Sequence, residues 1–152
     1  MKRLVFFSAL LSLSLVSCGD DDKPQPEQPK DTQTLLTAKW NLVKAEYIEN
    51  GETTTEDLKP GSCDYDYYDL KAGGVKDEIF HDEEDNCSTG NWPGTWSYNA
   101  SNKQVTLIDS DDDYTLVTEV ISISATDLKI KMITADGQPA PDGVEAYLYL
   151  KK

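Results

Sequence analysis

"DLKIKMIT" (residues 127–134) and "GVEAYLYLK" (residues 143–151) decide how this chain folds. In the first, Leu128, Ile130 and Met132 occupy one phase of a two-residue repeat, and Lys129 and Lys131 the other. In the second, Val144, Ala146, Leu148 and Leu150 share a phase, with Glu145, Tyr147 and Tyr149 opposite. Successive side chains of a strand point to opposite faces, so this alternation marks strands with one dry and one wet face. Antiparallel sheets are built from such strands.

Working outward, six more strand candidates share the β-branched and aromatic character: residues 40–48, 65–70, 75–81, 94–99, 103–109 and 114–124. Turn signals separate them, among them Asn50-Gly51, Gly73-Gly74 and Ala100-Ser101-Asn102. In "WNLVKAEYI" Trp40 and Leu42 share one phase, whereas Val43, Ala45 and Tyr47 take the other, which predicts a bulge. Long helical periodicity is absent. Eight sequential strands with short links predict an all-β domain over residues 35–152, an up-and-down antiparallel barrel that leaves no exposed edge. A sandwich of two four-stranded sheets is the alternative. Ahead of the first strand, "DTQTLLTAK" predicts a short helical turn capped by Asp31 or Thr32, with Leu35 and Leu36 plugging one end of the barrel.

The first residues read differently. Lys2 and Arg3 precede thirteen mostly apolar residues, Leu4 to Val16. A membrane-crossing helix needs roughly 20, so residues 1–17 fit a secretory signal peptide instead. "LVSC" (residues 15–18) resembles the lipobox of bacterial lipoproteins, which implies cleavage before Cys18 and acylation of that cysteine. Two or three acyl chains hold a protein stably at a membrane where one does not. Residues 18–34 then form a lipidated, acidic, proline-rich linker. With Pro24, Pro26 and Pro29 favouring extended geometry, it spans on the order of 50 Å at full stretch. The run Asp20–Asp22 resembles the surface-export signals of Bacteroidota lipoproteins, so the expected location is the outer membrane of a bacterial cell envelope, facing outward.

Charge narrows the partners. The full chain has 14 cationic and 28 acidic residues, and loss of Lys2 and Arg3 leaves 12 against 28, a net charge of −16. Such a surface repels nucleic acid and anionic headgroups. With Arg3 gone, no arginine remains to grip phosphate or carboxylate bidentately. Of three cysteines, Cys18 is assigned to the lipid, leaving Cys63 and Cys87 as an expected disulfide in an oxidising compartment. Two cysteines and the single His81 make a poor zinc set.

The chain resembles the lipocalin-like domain of Bacteroidota lipoproteins. The features that carry the likeness are "LLTAKW", the first domain cysteine followed by "YDYYDL", the "AGG" turn, the second cysteine and "GTWSYN". The resemblance spans residues 35–152 and implies an eight-stranded lipocalin-like barrel. Two departures stand out: Ala38-Lys39-Trp40 replaces the Gly-x-Trp of true lipocalins, and no arginine is present to cover Trp40.

Candidate sites are few. "DSDDDY" (residues 109–114) spaces carboxylates as calcium loops do. An EF-hand needs glycine at its sixth position and glutamate at its twelfth, where Tyr114 and Val120 stand, so the stretch reads as a solvated hairpin tip. His81 reads as an exposed strand-end histidine. No Gly-x-Ser-x-Gly, phosphate loop or His-Glu-x-x-His pattern occurs, and the sequence names no catalytic, metal or cofactor residue. Trp40 and Trp96 read as core. Trp92, in the loop-like "GNWPG", is the candidate ligand contact together with Tyr65, Tyr67 and Tyr68. The expected function is a non-catalytic, membrane-anchored binding module for a small apolar or neutral ligand. An accessory subunit of an envelope complex, working through its outer surface, is the alternative.

Overall fold

The computed structural model describes residues 31–152. Up to residue 30, the segments expected to be signal peptide and linker, with Cys18, lie outside the described residues. Helix α1 (Thr32–Leu36) is followed by ten strands: β1 (Lys39–Glu49), β2 (Glu52–Asp57), β3 (Tyr67–Leu70), β4 (Val75–Asp82), β5 (Ser88–Asn99), β6 (Gln104–Asp109), β7 (Thr115–Ile123), β8 (Asp127–Ala135), β9 (Gln138–Pro139) and β10 (Val144–Lys151).

Eight of them close a barrel. The order runs β10-β1-β3-β4-β5-β6-β7-β8, and β8 returns to β10 with Leu148 opposite Ile130 and Leu150 opposite Leu128. Every neighbour pair around this ring is antiparallel. Closure rules out the two-sheet sandwich. The two additional strands are appendages: β2 pairs with the later half of β1, and the two-residue β9 pairs with the end of β8. Each follows a tight turn whose two central residues have positive φ, Asn50-Gly51 and Asp136-Gly137, the backbone that a two-residue hairpin requires.

The bulge falls at the expected place in β1, between Leu42 and Lys44 in the ladder to β10. It brings Ala45 into phase with the buried Trp40. It also marks a change of partner. β1 pairs with β3 over only three residues, Lys39 to Asn41, and with β2 from Lys44 onward. The wall between β1 and β3 is therefore stitched at one end and flared at the other.

That asymmetry divides the barrel. At the stitched end, Leu36, Trp40, Leu70, Val105, Leu128 and Leu150 are buried and leave a gap of only about 10 Å³ among them. Asp31 caps α1, its carboxylate accepting from the Thr34 amide at 2.8 Å. The short helix thereby sets Leu36 as the plug, fully buried. The Trp40 indole N–H donates to the Leu36 carbonyl at 2.9 Å, locking helix to strand. Where no arginine exists to cover Trp40, Lys152 does so, its Nζ 4.5 Å from the ring centroid. Cations sit favourably over the electron-rich indole face.

The disulfide forms between Cys63 and Cys87. It ties the segment before β3 to the turn between β4 and β5. Nearby, the Asp66 carboxylate accepts from the His81 amide at 2.8 Å and lies 3.2 Å from its Nδ1. His81 is therefore half-buried and paired, not the exposed histidine that its strand-end position suggests.

Candidate ligand-binding cavity

Above the packed end the barrel is hollow. A cavity of about 520 Å³ lies inside it, lined by at least one side chain from each of the eight barrel strands. Its walls include Leu42, Leu107, Leu116, Met132 and Leu148, and its rim the part-exposed Tyr47, Trp92 and Tyr114. Small eight-stranded barrels are either filled by side chains or hold one small ligand, and this one does each at a different end.

Two cross-strand rows give the cavity its chemistry. In the first, Lys76 of β4, Gly94 of β5 and Asp109 of β6 lie side by side. Gly94 has no side chain, so Lys76 reaches across β5 to the Asp109 carboxylate and forms a direct ion pair with it. The Lys76 Nζ also donates to Glu78 at 2.9 Å. The lysine is 1% exposed, a charge that an apolar barrel tolerates only when paired. Glycine is required at position 94 for a second reason: a Cβ there would run into the Ile108 carbonyl oxygen.

In the second row Glu78 of β4 stands between Tyr68 of β3 and Trp92 of β5. Burial holds the Glu78 carboxyl above its ordinary value, and the pull of Lys76 offsets this only in part. Burial, then the negative charge of Glu78, pushes the Tyr68 phenol well above its ordinary value. Tyr114, beside Asp109 through its carbonyl (2.9 Å from the Asp109 amide), is raised by burial and then by Glu78 and Asp109. Three carboxylates (Glu78, Asp109, Asp112) thus share the cavity with one lysine.

The aromatics nominated from the sequence divide between two faces. Trp92 and Tyr68 line the cavity. Trp92 is not in a loop: β5 begins at Ser88 and carries it on an inward phase, where its ring stacks on Phe80 at 4.2 Å between centroids. Gly90 makes room for that stack, since a Cβ there would meet the Phe80 ring. Tyr65 and Tyr67 are not in the cavity. Residues 67 and 68 are neighbours in β3 and point to opposite faces, so Tyr67 lies outside under Lys39, whose Nζ is 3.4 Å from its centroid. Tyr65 shares that outer cleft with Asn41, Asp64 and His81. Nor is the aspartate run wholly a wet hairpin tip, because Asp109 is 9% exposed and belongs to the interior. Among the described residues no group of three His, Cys, Asp or Glu side chains is placed to hold a metal ion.

Lys76 and Glu78 are absent from the candidates that the sequence offers, and Asp109 enters there only as part of a hairpin tip, not as a cavity residue. One signal for them exists: Val105, Leu107 and Asp109 share a single phase of β6, so burying the first two carries the third inward.

A closed antiparallel barrel, sealed at one end by a helix and hollow at the other, is the architecture of the lipocalin class. The chain belongs to the lipocalin-like domain family, whose model matches residues 36–130. It is similar in fold to the crystal structure of a lipocalin-like protein from Bacteroides uniformis ATCC 8492. That likeness has 16% identity and a TM-score of 0.52 over 78% of this chain and 98% of the other. An uncharacterized protein from Bacteroides eggerthii DSM 20697 is also similar, at 11% identity and a TM-score of 0.49, over 76% and 98%. No curated protein matches the sequence.

Proposed function

We propose that the chain is a non-catalytic binding module that takes a small ligand with an apolar body into the open half of its barrel. The observation that carries this is the cavity of about 520 Å³ with apolar walls and an aromatic rim. Its size falls in the usual range for small-molecule sites, roughly 300–1,000 Å³. The polar groups within it are those of an orienting site: few, convergent and pre-positioned by strand pairing.

The same reading places the module at the bacterial envelope, held by acyl chains on Cys18. The described chain starts at α1, which plugs the sealed end. A tether arriving there would leave the mouth pointing away from the membrane, towards ligands in the surrounding water. Two measurements test the proposal. Mass spectrometry of the cell-derived protein should show Cys18 acylated and the leader gone; an intact leader contradicts the anchor. Thermal-shift titration with 1-octanol should raise the melting temperature, because a ligand that binds only the folded state stabilises it. Leu148→Trp, which fills the cavity, should abolish the shift, and an unchanged shift contradicts the site.

A further inference from the structure

We infer that the cavity selects an organic ammonium: a small amphiphile whose apolar body lies among Leu42, Met132 and Leu148 and whose cationic head rests on Glu78. The inference rests on the cavity being a ligand site and adds the chemistry of the ligand's head.

Lys76 is the one cation among the cavity-lining side chains, and it is engaged by Asp109 and Glu78 together. One positive charge against Glu78 and Asp109 leaves the enclosed part of the cavity with one excess negative charge, and the exposed Asp112 adds a second at its mouth. An anionic head such as a carboxylate meets repulsion there. A cation meets attraction in a site where solvent screens little.

Geometry then selects the position. Glu78 is the less enclosed of the two partners of Lys76, its side chain 22% exposed against 12% for Asp109. It stands between two aromatic rings in one row, Tyr68 and Trp92, with Tyr47 and Tyr114 also lining the space. A carboxylate flanked by aromatic faces is the chemistry that recognises ammonium groups, through ion pairing and cation–π attraction together.

A second observation is independent of the acids. Tyr68 is 6% exposed, and its hydroxyl hydrogen-bonds to no described residue. No sealed-off side-chain nitrogen or oxygen among the described residues lacks a partner. The hydroxyl therefore opens onto the cavity, where a ligand N–H has an acceptor waiting.

The test is a titration of the purified chain at neutral pH and fixed ionic strength with octylammonium, 1-octanol and octanoate, three heads on one tail. Octylammonium should bind roughly tenfold or more tighter than 1-octanol, the gain expected for a charge-assisted hydrogen bond, and octanoate weakest of all. In Glu78→Gln the ratio of ammonium to alcohol affinity should fall towards one. Circular dichroism of that variant establishes that its barrel is intact. Octanoate binding as tightly as octylammonium, or a ratio undiminished in Glu78→Gln, overturns the inference. If 1-octanol binds and the ammonium has no advantage, the inference fails while the cavity stands. If none of the three binds, both fail.

Discussion

Lys76→Met is the perturbation that probes the interior most sharply. The substitution keeps the length of the side chain and removes its charge. The wild-type Nζ is nearly sealed from solvent and pairs with Asp109, whose side chain is 12% exposed, and with Glu78 at 22%. Removing one member of a buried pair leaves the other charge without compensation, at a cost of about 3–5 kcal/mol. Glu78 is the more exposed of the two carboxylates, so most of that cost falls on Asp109. For a domain of this size the loss corresponds to a fall in melting temperature of roughly 10–20 °C. The double variant Lys76→Met/Asp109→Leu removes both charges and should recover most of the stability, since apolar replacement of a whole buried pair is often neutral or better. Adding Glu78→Gln should recover the remainder. Urea unfolding of the four proteins supplies the cycle. A loss below about 1 kcal/mol in the single variant is the range of exposed ion pairs and would refute the reasoning, as would a double variant no more stable than the single.

Other outcomes follow from the same geometry. The folded state holds the Glu78 proton above the ordinary value near 4.5, so Glu78 favours folding most below that pH and its contribution is lost as pH rises through the folded value. Glu78→Gln should therefore be more stable relative to wild type at neutral pH than at pH 4, as read from urea midpoints. The bridge between Cys63 and Cys87 closes a 25-residue loop counted inclusively, worth about 3.5 kcal/mol in the chain-entropy account. Unfolding with and without reductant measures it. Gly94→Ala drives a Cβ into the Ile108 carbonyl and should cost several times more than Gly90→Ala by thermal denaturation. At Gly90 only the Phe80 ring must move, so that variant should instead alter the fluorescence of Trp92.

Much of the architecture is legible in local pattern. The two-residue repeats of β8 and β10, the phase slip in β1 and the Asp31 cap each depend on neighbours within a few positions, and the structure has all of them. β2, "ETTTED", is wholly exposed, so it has no apolar phase to read, and only the preceding Asn-Gly turn hints at it. The cavity charges are hidden for another reason. In "VKDEIFH" the apolar residues Val75, Ile79 and Phe80 split between both phases, so periodicity does not choose a face. The inward phase is settled by Asp109, 33 residues further on, and by the missing side chain at Gly94 between them. Trp92 is obscured by its setting of Gly90, Pro93 and Gly94, turn-forming residues that here lie inside a strand. Pro93 has no N–H to give the ladder, but its carbonyl still accepts from the Ser110 amide at 2.8 Å.

Binding stoichiometry of Nile red, a neutral dye whose emission rises in apolar surroundings, tests the central claim most directly. The account predicts saturation at one dye per chain, quenching of Trp92 at the rim, and loss of both signals in Leu148→Trp. Dye that fails to bind, or that binds the filled barrel as well as the open one, would contradict it.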